Sequence, residues 1–219
     1  VYNAANKLVK RIDPNGASNL SKTESYTYYA DGSLKLKTDR NGRTAQYSYD
    51  IHGRMLSEAI GSSLISYTYD GNGNRLTITD ETGTTIRTYD EENRVTSKTV
   101  PGFGTSTFTY DLILGQPAGF HAEVSTDPKG NVTTKVFDKA WRLSSVTAEG
   151  ETATYTYDYN GNRETVLYPD GSSEEYTYYK DSLVKTLVNK KVDGSDNDFN
   201  IWYFYDGKTT IEYYPEQEK

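Results

Sequence analysis

The amino-acid sequence predicts an all-β fold: tandem β-hairpin repeats of about 20 residues that form an antiparallel β-sheet strip. Three observations predict it. A tyrosine pattern recurs at nearly constant spacing along the chain. Each copy contains two segments in which Tyr, Thr, Val or Ile alternates with other residues, which is typical of half-buried strands. Clusters of Asn, Asp and Gly separate these segments, and helical patterns are essentially absent.

The repeat is marked by an aromatic residue that is usually followed by Asp. The markers are Tyr28, Tyr49, Tyr69, Tyr89, Tyr110, Phe137, Tyr157, Tyr178 and Tyr205. Successive markers are 20, 21 or, in two places, 27 residues apart. A fixed period of this length is typical of a supersecondary unit that stacks on its neighbours to bury a continuous face.

Each unit is predicted to be one hairpin followed by a connecting turn. The clearest copy is YTYDGNGNRLTITDETGTT at residues 67–85, where YTYD and RLTIT read as strands. Asn72–Gly73 and Asn160–Gly161 are expected to make the hairpin turns, because both residue types tolerate positive φ. The turns between units are DPNG (13–16), DRNG (39–42), DETG (80–83), DPKG (127–130) and PDG (169–171). We therefore predict a single domain of about ten hairpin units over residues 1–219.

Composition limits the classes of function. The net charge is −7 and Cys is absent, which argues against nucleic-acid binding, disulfides and thiolate metal sites. No apolar run is long enough to cross a bilayer. Mean hydropathy is −0.80 with 21 Tyr, so we expect a thin sheet covered by tyrosine rings. The chain starts without Met, and we expect it to be a piece of a longer protein.

The recurring polar residues are interpreted as a structural repeat motif. Its residues are Tyr49, Asp50, Gly53, Arg54, Tyr67, Tyr69, Asp70, Gly73, Arg75, Tyr89, Asp90, Arg94, Asp138, Arg142, Tyr155, Tyr157, Asp158, Gly161 and Arg163. Each Asp is expected to accept backbone N–H bonds in its turn. Each Arg is expected to pair with that Asp or to pack over a Tyr ring, with binding of an anionic glycan as the alternative. The tyrosines are expected to fill the space between hairpins, with sugar stacking as the alternative.

No catalytic, metal or cofactor site is predicted. His52 and His121 are the two histidines, and neither an HExxH nor a GxSxG pattern occurs. A unique site would have to lie where the unit is broken. The two places are the insertions 111–126, which contains His121, and 189–200.

The motifs YDGNGNRLTITDETG (69–83), YDYNGNRETVLYPDG (157–171), YDIHGRMLSE (49–58) and YDEENRVTS (89–97) resemble those of the YD-repeat, or RHS-repeat, family. That family includes bacterial Rhs proteins, the cocoon subunits of Tc toxins, wall-associated bacterial proteins and the animal teneurins. The resemblance implies a long β-sheet strip that spirals into a hollow shell. We therefore expect this chain to be a spiralling β-sheet strip that forms an open or partial shell or barrel. In the toxins such a shell encloses a C-terminal toxic domain.

The function that the resemblance implies is a non-enzymatic structural scaffold or shell segment of a secreted, cell-surface or toxin-delivery protein, of bacterial origin. The partners it implies are further YD repeats or an encapsulated toxin domain of the parent protein. Edge-to-edge self-association is also expected, whereas nucleic acid and a membrane span are not. The alternative is a cell-surface carbohydrate-binding module that uses the repeated tyrosines, and an enzyme ranks last.

Overall fold

A computed structural model describes residues 1–12, 23–113, 115, 117–195, 201–205 and 210–213. These residues form nineteen β-strands, pair in antiparallel fashion and contain no helix, which confirms the predicted fold class. Hence no helix in this part of the chain is long and apolar enough to cross a membrane. The chain divides into two compact units, Val1–Thr107 and Phe108–Lys219. The predicted turn at 13–16 lies outside the described residues.

The first unit is a meander in which each strand pairs with the next. Its strands are β1 (Lys10–Ile12), β2 (Thr23–Tyr28), β3 (Leu34–Thr38), β4 (Thr44–Tyr49), β5 (Met55–Ile60), β6 (Ser63–Tyr69), β7 (Arg75–Asp80), β8 (Gly83–Tyr89) and β9 (Val95–Val100). Strand β10 (Gly104–Leu112) begins in this unit, and its residues 104–107 pair with β9.

The second unit repeats the same arrangement from β11 onward. Its strands are β11 (His121–Thr126), β12 (Val132–Phe137), β13 (Leu143–Ala148), β14 (Glu151–Tyr157), β15 (Arg163–Leu167), β16 (Ser173–Tyr178), β17 (Val184–Lys190), β18 (Ile201–Tyr205) and β19 (Thr210–Tyr213). Consecutive strands pair from β11 to β19.

The alternation of residue types sorts side chains onto two faces of each sheet. In the β6–β7 hairpin, Tyr67 is opposite Ile78 and Thr68 is opposite Thr77. Because neighbouring side chains in a strand point to opposite faces, one face carries aromatic and aliphatic groups and the other carries hydroxyls. The Thr68 and Thr77 hydroxyls lie 2.7 Å apart, and pairs of this kind recur in both units.

A β-bulge follows the turn in seven of the hairpins. Tyr69 pairs with Arg75 while Thr68 pairs with Thr77, so Leu76 has no partner on β6. The same register shift occurs at Tyr28, Tyr49, Tyr89, Phe137, Tyr157 and Tyr178. A bulge interrupts the ladder locally and increases the right-handed twist of the strand pair.

The apolar interior is thin. Among the described residues, the hydrophobic side chains that are nearly inaccessible to solvent are those of Ala45, Ala122 and Val166. Most tyrosines and aliphatic residues are half-buried instead. Stability must therefore draw heavily on contacts that join one hairpin to the next.

Candidate functional site

Five of the marker hairpins close with the same turn, which an Asp side chain holds together. The Asp50 amide donates to the Arg54 carbonyl at 2.9 Å, and the Gly53 amide donates to the Asp50 carbonyl at 3.0 Å. Asp50 Oδ1 accepts from the amides of His52 and Arg54, both at 2.9 Å. The same set of bonds is present at Asp70, Asp90, Asp138 and Asp158. We count the Asp as the first residue of a five-residue turn. Residues two to four form the loop, and the last of these has positive φ. The Asp side chain adds an Asx-turn within the loop.

These hydrogen bonds keep the turn carboxylates ionised. A side-chain hydrogen bond from Asn74 is the largest influence that lowers the pKa of Asp70, and Asn162 has the same effect on the pKa of Asp158. At Asp50, desolvation tends to raise the pKa, but the backbone and side-chain hydrogen bonds from Arg54 outweigh it and the pKa is lowered. A carboxylate with a lowered pKa stays ionised and accepts hydrogen bonds, which makes it poorly suited to donate a proton as a general acid.

The fourth residue of each turn has positive φ. Gly53, Gly73 and Gly161 occupy this position with φ of 77°, 95° and 86°. Two turns place other residues there, namely Asn93 at 64° and Trp141 at 59°. Glycine and, less readily, Asn accept this conformation, whereas a tryptophan there is an outlier.

The fifth residue of the turn binds the second oxygen of the Asp carboxylate. Where it is Arg54, Arg94 or Arg142, its Nε donates to Oδ2 of the turn Asp at 2.6, 2.8 and 2.8 Å. Where it is Asn74 or Asn162, the amide Nδ2 donates to Oδ2 at 2.9 Å instead. The motif arginines therefore occupy two different positions, because some are the fifth residue of the turn and others are the first residue after it.

The other two arginines come one residue later and lie over tyrosine rings. The Arg75 guanidinium lies 4.8 Å from the centroid of Tyr67, and that of Arg163 lies 4.7 Å from the centroid of Tyr176. Arg163 Nη2 also donates to the Tyr176 hydroxyl at 2.8 Å. Burial, and then a hydrogen bond to Glu174, raise the pKa of Tyr176 to about 12.

The marker tyrosines connect consecutive hairpins through their hydroxyls. Tyr69, Tyr89 and Tyr157 donate to the carbonyls of residues fourteen positions earlier, which are Met55, Arg75 and Leu143, at 2.8, 2.9 and 2.8 Å. Each acceptor is the first residue after the preceding turn. The sequence pattern predicts ring packing for these tyrosines and does not predict the hydroxyl bond, although the constant separation of fourteen residues can be read in the sequence.

The turn arginines also reach the next hairpin. Arg54 Nη1 donates to the carbonyl of Asp70 at 2.9 Å, and the guanidinium lies 4.8 Å from the ring centroid of Tyr69. Arg142 lies in the same way over Tyr157, at 4.7 Å. The side chains of the motif thus form a ladder along the turn edge in each unit.

The two remaining tyrosines of the motif, Tyr49 and Tyr155, lie beside other hydrophobic side chains of the sheet. Tyr49 packs edge-to-face against Tyr29 with ring centroids 6.4 Å apart. Tyr155 lies opposite the buried Val166 across the β14–β15 pair.

The broken units are the places where the sequence predicts that a unique site would have to lie. In the described residues, no group of three or more His, Cys or acidic residues is arranged to hold a metal ion. His52 is exposed at a turn tip, and His121 stacks on Trp141. In the insertion 111–126, residues 114 and 116 lie outside the description. In the insertion 189–200, the structure describes the end of β17 and a turn at 191–195, and residues 196–200 fall outside it.

Comparison with known proteins agrees with this architecture. Residues 33–113 match the family model described as the teneurin YD-shell. Among curated protein sequences, none matches the chain.

Two solved structures share the fold. The crystal structure of TcdB2-TccC3-TEV superposes with a TM-score of 0.64 and 16% identity, over 92% of this chain and 11% of that one. The crystal structure of TcdB2-TccC3-Cdc42 superposes with a TM-score of 0.52 and 13% identity, over 96% of this chain and 12% of that one. The chain therefore spans only about a tenth of the length of these structures.

The family-model match over residues 33–113, the shared fold and the repeated Asp-centred turns agree with one another and support the resemblance of this chain to the YD-repeat, or RHS-repeat, family.

Proposed function

We propose that this chain is a non-enzymatic structural segment of the shell of a secreted, cell-surface or toxin-delivery protein of bacterial origin. The observation that carries the proposal is the use of the motif's polar groups within the ladder. Tyr69 binds a backbone carbonyl of the preceding hairpin, and Arg54 binds both its own turn and the next one. Groups engaged in this way build the sheet and are not free to act on a substrate.

The partners of such a segment are further YD hairpins and an enclosed toxin domain of a longer protein. The fold shared with TcdB2-TccC3-TEV over 92% of this chain supports this assignment. The backbone groups of a terminal strand offer a template for another hairpin, which favours edge pairing with neighbouring repeats or with a second copy.

The alternative, a carbohydrate-binding module that uses the repeated tyrosines, has less support. The hydroxyls of Tyr69, Tyr89 and Tyr157 are bound to backbone carbonyls. The rings of Tyr67, Tyr69, Tyr157 and Tyr176 are covered by guanidinium groups. These contacts reduce what the tyrosine ladder offers to a sugar.

The proposal is tested on the purified chain by two measurements. Sedimentation velocity over a concentration series is expected to reveal reversible self-association through strand edges. A panel of glycoside, ester, peptide and phosphoester substrates is expected to give no turnover. Turnover that disappears in a single-residue variant, such as His121→Ala, would overturn the non-enzymatic assignment.

The location is tested in cells of the source organism with an antibody raised against residues 1–219. The antigen is expected in the culture medium or on protease-accessible cell surface. Recovery of all antigen in the cytosolic fraction would contradict a secreted or surface-exposed shell.

A further inference from the structure

One cross-strand pair of the first unit departs from the composition of the repeat. The residue two positions before the marker is a tyrosine opposite an aliphatic residue in the pairs Tyr67–Ile78, Tyr155–Val166 and Tyr176–Leu187. The β8–β9 hairpin places Arg87 opposite Lys98 at this position. In the other described hairpins with the same bulge, at most one residue of the pair is charged.

The stability of the sheet gives no reason for this pair. Like charges directly opposite each other destabilise two antiparallel strands, whereas a tyrosine opposite an aliphatic residue stabilises them. A position at which the sequence opposes the local structure, without a gain elsewhere in the fold, is expected to serve a function. Arg87 and Lys98 are therefore candidates for a binding role.

The two cations are not neutralised by the protein. Among the described residues, none forms a hydrogen bond, an ion pair or a ring contact with the side chain of Arg87 or Lys98. The Asp90 carboxylate of the same hairpin is bound by Arg94. Lys98 is exposed and Arg87 is half-buried, so both charges can be reached from solvent. In a chain of net charge −7, this pair is a local concentration of unpaired positive charge.

Two hydroxyl groups lie on the same face of the sheet beside the cations. Thr85 precedes Arg87 by two residues on β8, and Ser106 lies opposite Lys98 on β10. Residues i and i+2 of a strand share a face, as do residues directly opposite each other. In the part of the chain that the structure describes, neither hydroxyl has a hydrogen-bond partner. Opposite Cβ atoms are about 5 Å apart, so donors from three strands can converge on one ligand.

The chemistry of these donors favours a phosphate group. A guanidinium donates two parallel N–H bonds to the oxygens of a carboxylate or a phosphate, and an ammonium adds a point charge. A carboxylate would neutralise only one of the two cations. A phosphoryl group carries a charge of about −1.5 to −2 near neutral pH and has three acceptor oxygens, which matches two cations and two hydroxyls. Nucleic acid requires an extended basic surface, which a chain of net charge −7 does not favour.

We propose that Arg87 and Lys98 bind a phosphate group on the face of the sheet that carries Tyr67, with the hydroxyls of Thr85 and Ser106 as further donors. A free phosphate ion and the phosphoryl group of a phosphorylated partner offer the same chemistry, and the test separates them. The site lies where the repeat is broken in composition and not in length, and it does not depend on the scaffold role.

The test follows amide chemical shifts of the whole chain by NMR near neutral pH and at constant ionic strength. The ligands are inorganic phosphate and a short peptide that contains phosphoserine, with acetate as the carboxylate reference and chloride as the background salt. Arg87→Tyr and Lys98→Ile install the residues of the equivalent pair Tyr67–Ile78, so the fold is expected to survive. The matched control is Lys35→Gln, which removes one positive charge from exposed Lys35 of β3 in the same unit.

At least one phosphate ligand is expected to bind the native chain more tightly than acetate and to shift amides of β8, β9 and β10. Arg87→Tyr and Lys98→Ile are each expected to weaken this binding by roughly tenfold, the effect of losing a charge-assisted hydrogen bond. Lys35→Gln should bind like the native chain. Without phosphate, the melting temperature of Arg87→Tyr should be unchanged or higher, because the repulsion between the two cations is removed.

Binding of inorganic phosphate alone identifies the free ion as the ligand, and binding of the phosphoserine peptide identifies a phosphorylated partner. The proposal is overturned if neither ligand binds more tightly than acetate. It is equally overturned if Arg87→Tyr and Lys98→Ile bind as well as Lys35→Gln. These results leave the substrate and sedimentation tests of the scaffold role unaffected.

Discussion

The hydroxyl of Tyr69 donates a 2.8 Å hydrogen bond to the carbonyl of Met55, in the hairpin that precedes its own. The backbone ladder between β5 and β6 ends at the pair Ser57–Ser66, two residues short of Met55. The tyrosine therefore joins the two hairpins where backbone pairing has stopped. The ladders β7–β8, β13–β14 and β15–β16 end in the same way, and Tyr89, Tyr157 and Tyr178 make the equivalent bonds.

Removing this hydroxyl should weaken the contact between two hairpins without changing the ring. We expect Tyr69→Phe to lower the free energy of unfolding by about 1 kcal/mol, because the half-buried carbonyl loses a donor. Urea unfolding of the whole chain, followed by circular dichroism, measures the change. Tyr159→Phe is the matched control, since Tyr159 is fully exposed, and it should have no effect. Equal stability of the two variants would contradict a structural role for the bond.

The guanidinium of Arg54 has three simultaneous contacts that an ammonium cannot reproduce. It binds Asp50 Oδ2 at 2.6 Å, the Asp70 carbonyl at 2.9 Å and the Tyr69 ring face. We expect Arg54→Lys to cost about 1 kcal/mol of unfolding free energy, because Lys lacks the planar fork and stacks less well. The control is Arg43→Lys, whose Arg is 71% exposed and 3.4 Å from Asp39, and which should cost nothing measurable. A loss of the same size in both variants would mean that the bridge to the next hairpin contributes nothing.

The turn carboxylates make the fold sensitive to acid. The pKa of Asp70 is lowered from its ordinary value of 3.8, first by the Asn74 side chain and also by backbone amides of the turn. When the folded pKa lies below the unfolded one, the unfolded chain binds more protons at low pH. The stabilisation is thus complete above the unfolded pKa and is lost as pH falls through the folded pKa.

Asp70→Asn removes the titration, and its amide oxygen can still accept both backbone N–H bonds. Its amide nitrogen cannot accept the bond from Asn74, so the variant is expected to be less stable at neutral pH, and the informative quantity is the pH dependence. We expect the urea midpoint of the variant to fall less steeply than that of the native chain between about pH 5 and pH 2. The two midpoints are compared at several pH values in the same buffer series. Parallel curves would show that Asp70 is not a source of the acid sensitivity.

The sheet was predictable because its determinants are local. Alternation in Tyr67, Thr68 and Tyr69, followed by an Asn-Gly pair, predicts two strands and a turn, and the hairpin has that register. The turn is nonetheless longer than a two-residue loop, and its positive φ falls on Gly73 and not on Asn72. The Asp side chain stabilises the longer loop by bonding amides two and four residues ahead.

The contacts between hairpins were harder to predict because they depend on tertiary register. The sequence pattern predicts the same role for Arg54 and Arg75, which is to pair with the turn Asp or to pack over a Tyr ring. The structure separates them, since one is the last turn residue and the other begins the bulged strand. The stack of Trp141 on His121 joins residues twenty positions apart across a broken unit, and no local pattern predicts a tryptophan with positive φ.

Two glycines with positive φ should respond differently to alanine. Gly53 has φ of 77° and open space where the alanine methyl group would lie, so Gly53→Ala adds backbone strain alone, about 1 kcal/mol. Gly83 has φ of 125°, and a Cβ there would lie 2.9 Å from Pro101 Cγ, so Gly83→Ala adds a steric clash to the strain and should cost about 2–3 kcal/mol. Urea unfolding of both variants measures the two losses in the free energy of unfolding. The control is Gly53→Asn, which should keep most of the stability because Asn93 adopts the same conformation in an equivalent turn. A smaller loss for Gly83→Ala than for Gly53→Ala would contradict close packing between the β7–β8 turn and Pro101.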